Sequence, residues 1–265
     1  PTAGRVSGQG ILVNCAMLDT IGIMAGTARD CAIVLDAISG YDPSVETSLD
    51  VPATDCADTI GKSISGLKLG IPMEFFRNDI QPYVLGAIEE AANRFRNMGV
   101  AIVEKKMPDI AKYRNIMSTL LISEAYSVHE KNLREKRAYF DPELLERFKI
   151  AENLDMAQYI RLKKEHYPFT LEFAKLFEGV DAVMLPTEAV TAWKINADPS
   201  VRINGQAANL YELSSRYLWF TAFAGTTAMN VPAGKHDGLP YGIQLLAPKM
   251  KEDTILRLAH CYENY

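Results

Sequence analysis

The sequence predicts an α/β protein. Strand-like apolar runs alternate with helical periodicity along all 265 residues, and such alternation favours a sheet covered by helices. One stretch, 67–103, carries a complete strand–helix–strand unit. The composition is globular, with 48% hydrophobic and 23% charged residues, which is far from the polar, charge-rich signature of disordered chains.

In chain order, Ile11–Ala16 reads as a short strand. Thr27 opens a helix with Asp30 three positions later, a capping-box spacing in which each side chain can meet a free backbone N–H. Ile33, Val34, Ala37 and Ile38 keep its helical period, and Gly40 closes it. Residues 42–66, rich in Asp, Pro, Thr and Ser, read as a long surface loop. Leu67–Ile71 is a strand. From Pro82, the residues Leu85, Ile88, Ala92 and Phe95 make one helical face that Gly99 ends, and Val100–Val103 is the next strand. This unit favours parallel pairing with a right-handed crossover. Residues 109–136 are helical. Asp141-Pro142 starts another helix, because Asp caps and Pro suits the first turn. A third helical block runs over 155–178 to Gly179, so 109–178 reads as a helical layer. Asp181–Thr187 is a strand breaking at Pro186, 189–206 is a loop, and 209–223 is helical. Ala228–Val231 and Gly242–Leu246 are short strands, and Asp253–Tyr262 is a closing helix.

Composition excludes several functions. The net charge of −5 leaves no basic excess for phosphate contacts, so nucleic acid is not an expected partner. The apolar runs Ala182–Leu185 and Trp219–Gly225 fall far short of the ~20 residues of a membrane span. The cysteines at 15, 31, 56 and 261 form no C-x-x-C pair; they read as reduced thiols of a cytoplasmic protein, with no metal or cofactor expected. At 29.4 kDa a complete domain would expose ~11,500 Å² and bury about 73% of its unfolded surface.

Local motifs fail one by one. Gly61-Lys62-Ser63 resembles the end of a P-loop, but the required first glycine is Cys56. Gly8-Gln9-Gly10 lacks the third glycine of a dinucleotide loop, where Val13 stands. Gly61, Ser63 and Ser65 miss the nucleophile elbow by one glycine and precede a strand rather than follow one. Ser7 and Ser123 are inert without a base in reach, and His129, His166, His236 and His260 show no partner by spacing. The charges of 143–152 make a solvated helix face. Glu124, beside an apolar run, requires a partner if buried.

Several stretches together resemble the C-terminal part of the amidase signature family. Pro1–Ser7 (PTAGRVS) is similar to its K-P-T-x-G-R-V-S segment, and Leu18–Gly22 with Met24 to L-D-x-I-G-P-M. Ala32–Asp42, ending in Ala37-Ile38-Ser39-Gly40-Tyr41-Asp42 before Pro43, matches the helix and turn beyond. Asp181–Thr187 is similar to D-x-x-x-x-P-T, and Val231–Gly234 with Gly238–Gln244 to V-P-x-G and G-L-P-x-G-x-Q. The resemblance implies part of a mixed β-sheet covered by helices on both faces, a single amidase-like domain over 1–265, and cleavage of a carboxamide to acid and ammonia. It also implies a Ser–cis-Ser–Lys triad, in which a neutral Lys activates a Ser hydroxyl. None of the triad matches this chain, which opens at Pro1 with no Met and reads as the interior of a longer protein. No catalytic residue is therefore assigned, and the isolated chain is expected to be inactive, contributing a wall of the substrate pocket.

Departures from the family pattern stand at Ile23 for Pro, Gly26 for Arg, and Ala222 and Thr227 for the Asn and Pro of N-L-x-G-x-P. In the glutamine-using members, the A-type subunits of the tRNA-dependent amidotransferase, an Asp binds the amino group of glutamine; its place here is near Ser214-Ser215. Arg147 falls in a helix comparable to the one whose Arg binds the substrate carboxylate. The expected wall residues are Arg147, Glu124 and Ser215. A general amidase of small carboxamides is thus favoured over a glutamine-hydrolysing amidotransferase subunit. A non-enzymatic subunit remains the second class and a nucleotide-binding protein, resting on Gly61-Lys62-Ser63, the third. A domain cut through its sheet would leave a strand edge uncovered, which makes self-association or an N-terminal half the expected protein partner.

Overall fold

The structure, a computed structural model, describes residues 1–265. In order it contains α1 (Ala28–Ile38), β1 (Lys68–Ile71), α2 (Met73–Phe76), α3 (Pro82–Asn97), β2 (Ala101–Glu104), α4 (Arg114–Glu135), α5 (Pro142–Glu152), α6 (Met156–Lys164) and α7 (His166–Ala174). There follow β3 (Ala182–Pro186), β4 (Ser200–Ile203), β5 (Gln206–Asn209), α8 (Leu210–Ser215), α9 (Trp219–Ala224), β6 (Thr227–His236), β7 (Leu239–Ala247) and α10 (Glu252–Glu263).

Five strands form a mixed sheet in the order β2-β1-β3-β7-β6. β1 is parallel to both β2 and β3, while β7 runs antiparallel to β3 and to β6. The expected α/β class and mixed sheet are therefore present. Helices cover both faces: consecutive residues Ala182–Leu185 and Ile243–Ala247 are all buried, which alternating side chains allow only when neither face is wet.

Local chemistry explains the helix ends. The Thr27 side chain accepts from the Asp30 N–H at 3.1 Å and donates to the Asp30 carboxylate at 2.8 Å, so the cap closes through side chains. Pro82 occupies the first turn of α3, whose Val84, Ile88, Ala91 and Phe95 are buried, and Gly99 ends it with φ 85°. Asp141 caps α5 by accepting from the Glu143 N–H at 2.8 Å. The block at 155–178 is divided: α6 has a capping box between Asp155 and Gln158 and ends at Lys164, and α7 begins at His166.

Three expectations are corrected. Ile11–Ala16 is not a strand. The Asp19 carboxylate takes the N–H groups of Asn14 and Cys15 at 2.6 and 3.0 Å, giving the backbone a local alternative to a ladder, and Leu12 is exposed. Residues 189–206 are not wholly loop, because β4 and β5 pair antiparallel around Asn204-Gly205. Both turn residues have positive φ, 51° and 82°, as a two-residue hairpin requires. β6 and β7 extend beyond 228–231 and 242–246, joined through Asp237 and Gly238 (φ 50° and 80°) by the same turn chemistry.

An aromatic cluster fastens α7 to α9. Phe169 is fully buried, with its ring centroid 4.6 Å from Phe223, 5.4 Å from Tyr113 and 5.7 Å from both Phe173 and Trp219. Ile122, Ala125, Leu133 and Phe148 join α4 to α5. The whole chain exposes 14,341 Å², about a quarter more than the ~11,500 Å² typical of a monomer of this mass. No helix is long and apolar enough to cross a membrane.

Candidate functional site

A cleft of about 920 Å³ lies between the segment 20–27, the start of β6 and α10. Hydrogen bonds from the first residues of the chain brace it. The Thr2 N–H donates to the buried Glu252 carboxylate at 2.8 Å, the Met250 N–H to the Thr2 hydroxyl at 2.8 Å, and the Ala3 N–H to the Gly225 carbonyl at 3.2 Å. Gly225 ends α9 in the left-handed conformation, φ 62°, which spares it a Cβ facing Ala3. At the other side the Glu263 carboxylate accepts from the Ala28 N–H at 2.9 Å, a favourable anion at the start of α1. The cleft is thus walled by segments far apart in sequence and held by buried polar contacts.

The lining mixes apolar side chains (Ile23, Met24, Leu35, Met229, Leu256) with neutral polar ones (Thr221, Thr227, Asn230) and the charged Arg94, Glu252 and Glu263. No serine, threonine or cysteine side chain hydrogen-bonds to a lysine or histidine side chain; the Ser7 hydroxyl donates to the Asp42 carboxylate at 2.5 Å and the Cys15 thiol to Glu124 at 3.2 Å. The histidines have other partners or neighbours. His166 meets the Phe223 carbonyl at 2.7 Å, His236 stacks on Tyr83, His260 contacts Asn264 and His129 lies edge-on to Phe140.

The three residues expected at the pocket wall stand apart, and none lines this cleft. Glu124, on α4, accepts from the Cys15 thiol at 3.2 Å and the Tyr159 hydroxyl at 3.0 Å. It ties the N-terminal loop and α6 to α4. Burial, reinforced by the Glu124 charge, pushes both the Cys15 thiol and the Tyr159 phenol up to about 12, so Cys15 stays a protonated donor. Ser215, at the end of α8, accepts from Arg114 at 2.8 Å. It sits beside a small polar cavity of about 170 Å³ where Arg216 and Asp79 pair at 2.7 Å. Arg147 is exposed on α5, outside all the ion pairs.

Sequence reasoning missed Glu188. It lies two residues beyond the end of β3, with one carboxylate oxygen buried and unpartnered, and desolvation pushes its carboxyl up to about 7. The buried Tyr217 hydroxyl nearby is also unpartnered, and burial raises its pKa as well. The available signal was an acid two residues after an all-apolar strand. The native Glu188 holds its proton where the unfolded chain has lost it, so stability falls as pH rises from about 4.5 to about 7. Glu188→Gln is therefore expected to melt above the parent at pH near 8, and the gap to close by pH near 4.5. Equal melting temperatures at both ends would contradict the desolvation of this carboxyl.

Comparison with known proteins places this architecture. A sequence model described as Amidase matches residues 1–256. The chain belongs to the amidase family. This amidase-family chain is 30% identical over 287 residues to the A subunit of glutamyl-tRNA(Gln) amidotransferase from Pseudomonas fluorescens (strain Pf0-1), covering 99% of the chain and 58% of that protein. It superposes with TM-score 0.89 on a chain of a vestigial protein complex bearing on the origins of an s-triazine catabolic enzyme. That likeness is 24% identical and covers 100% of this chain and 57% of the other. Peptide amidase from Stenotrophomonas maltophilia gives TM-score 0.75 at 25% identity, covering 100% and 57%. The chain thus spans a little under three-fifths of the length of these relatives. The four departures from the family pattern, Ile23, Gly26, Ala222 and Thr227, all line this cleft, two from each side.

Proposed function

We propose that these residues form one wall of the substrate cleft of an amidase-signature hydrolase, which cleaves a small carboxamide to a carboxylic acid and ammonia. The supporting observation is the meeting of Ile23, Gly26, Ala222 and Thr227 in a single cleft. Small-molecule sites are concave pockets whose few placed polar groups fix specificity. The nucleophile and its base belong, in this reading, to the part of the amidase fold outside these residues. Glu124 and Ser215 act as positioning residues, the first holding the N-terminal loop on α4 and the second receiving Arg114. Arg147, exposed and outside the ion pairs, is left to meet substrate or the rest of the fold.

A glutamine-hydrolysing reading is favoured by the 30% identity to the amidotransferase protein. Against it, the place of the amino-binding acid holds Ser215, which is engaged by the Arg114 guanidinium at 2.8 Å. A cation beside that position repels an α-ammonium group. The two readings separate on ammonia release by the chain joined with the remaining part of an amidase fold. Turnover of simple aliphatic or aryl carboxamides with little on glutamine is expected. Preference for glutamine would transfer the assignment to the amidotransferase type.

A further inference from the structure

Arg114 is a cation without an acid. It opens α4 half-buried and bonds to the protein through Nη2 alone, to the Ser215 hydroxyl at 2.8 Å and the Glu212 carbonyl at 3.3 Å. It takes part in no ion pair. Charged side chains seldom leave water unless they are paired. Arg114 lines the small polar cavity of about 170 Å³, and Arg216 lines it too. Arg216 holds Asp79 at 2.7 Å, again through Nη2, so that pair neutralises itself. Both arginines keep Nε and Nη1 without a protein partner. The other acid in the lining, Glu212, is exposed, where water weakens its repulsion. Both signs of charge line the space, but Arg114 alone combines partial burial with an unanswered charge.

The β4–β5 hairpin closes one side of this cavity. The Asn204 side chain fastens it by donating to the Asn78 carbonyl at 3.1 Å, and the Gln81 side chain donates to the Arg202 carbonyl at 3.4 Å. At ~30 Å³ for each water the space holds roughly six waters, which suits the end of a small molecule and not a peptide segment. We propose that this cavity receives the carboxylate of a small anionic carboxamide, such as the monoamide of a dicarboxylic acid, with Arg114 as the group that selects it. Charge-assisted hydrogen bonds from guanidinium N–H groups to an oxyanion are about twice as strong as neutral ones, and the free Nε and Nη1 donors supply them. The stretch 210–224 borders both places: Glu212, Leu213 and Arg216 line the cavity, Thr221 and Ala222 the cleft. A ligand anchored here by its anionic end lies against the stretch of chain that also walls the cleft. The substrate class rests on the amidase role proposed above; the carboxylate site stands without it.

The test titrates the 265-residue chain at fixed ionic strength with sodium succinamate, neutral propionamide, glutamine and inorganic phosphate, followed by NMR of the arginine side-chain N–H groups. Succinamate is expected to shift the Arg114 signal and to bind about tenfold or more tightly than each of the other three. Arg114→Gln is expected to weaken succinamate about tenfold or more. Glu212→Gln, at an exposed residue, is expected to tighten it about threefold by removing a repelling charge, and it carries the test if Arg114→Gln does not fold. No succinamate binding, or binding that survives Arg114→Gln, would overturn the proposal. So would weaker binding by Glu212→Gln, the mark of a ligand with a positive end, or phosphate, glutamine or propionamide bound as tightly as succinamate. Ammonia release by the chain joined with the remaining part of an amidase fold separates the two readings. Propionamide turned over as readily as succinamate would remove this inference and keep the amidase role. Succinamate bound at Arg114 and never hydrolysed would remove the amidase role and keep the carboxylate site.

Discussion

Phe169→Ala is expected to cost about 3–5 kcal/mol, the range for removing a buried phenylalanine from a packed core. The ring is fully buried and touches four other aromatic side chains from three elements, Tyr113, Phe173, Trp219 and Phe223. Alanine would leave a cavity that those rings cannot close, because each is fixed by a further neighbour, as Phe173 is by Phe220 at 5.5 Å. On the same helix Leu171 is 54% exposed, and Leu171→Ala is expected to stay within about 0.5 kcal/mol. Urea unfolding of the two variants measures the contrast. A loss below about 1 kcal/mol for Phe169→Ala would mean that α7 is not seated on α9 as described.

Gly4→Ala is expected to destabilise by about 2–5 kcal/mol, although it adds one methyl group. Gly4 has φ 80°, and a Cβ there would strike the Thr47 carbonyl oxygen and lie 3.1 Å from Leu49 Cγ. The left-handed backbone costs a side chain about 1–2 kcal/mol, and overpacking costs about 1–3 kcal/mol more. The Thr47 oxygen cannot yield cheaply, since Leu49 donates its N–H to the Gly4 carbonyl at 2.8 Å. The neighbours Thr2 and Ala3 brace the cleft through Glu252 and Gly225. The variant should therefore also speed proteolysis within 1–50. Thermal melting at the parent's temperature, with an unchanged cleavage pattern, would contradict this account of the loop.

Much of the architecture was legible because local chemistry and tertiary packing agree. Thr27, Pro82, Gly99 and Asp141 mark helix boundaries by capping or by special φ, and packing leaves those boundaries where the residues put them. Ala182–Leu185 is apolar without interruption because both faces of β3 are covered. The failures have physical causes too. Ile11–Ala16 has strand composition, but the Asp19 carboxylate captures its backbone donors, and composition does not register a competitor several residues away. β4 alternates over only four residues and β5 does not alternate, so Asn204-Gly205 was the clearest mark of the hairpin.

The site was less legible than the fold. Family-like motifs identified the stretches that line the cleft, as Ile23 and Ala222 show, but not which of them meet. Arg147, Glu124 and Ser215 were chosen for residue type and position along the chain. Their separation depends on how α4, α5 and α8 are placed by distant aromatic contacts. Glu188 escaped notice because its unusual carboxyl is created by burial, a tertiary property.

The decisive measurement is ammonia release from a simple carboxamide, by the 265-residue chain alone and then with the remaining part of an amidase fold. No turnover above the uncatalysed background is expected for the chain alone, and turnover on addition of the part proposed to carry the nucleophile and base. Turnover by the chain alone at ordinary enzyme rates, roughly 1 per second or faster, would contradict that expectation.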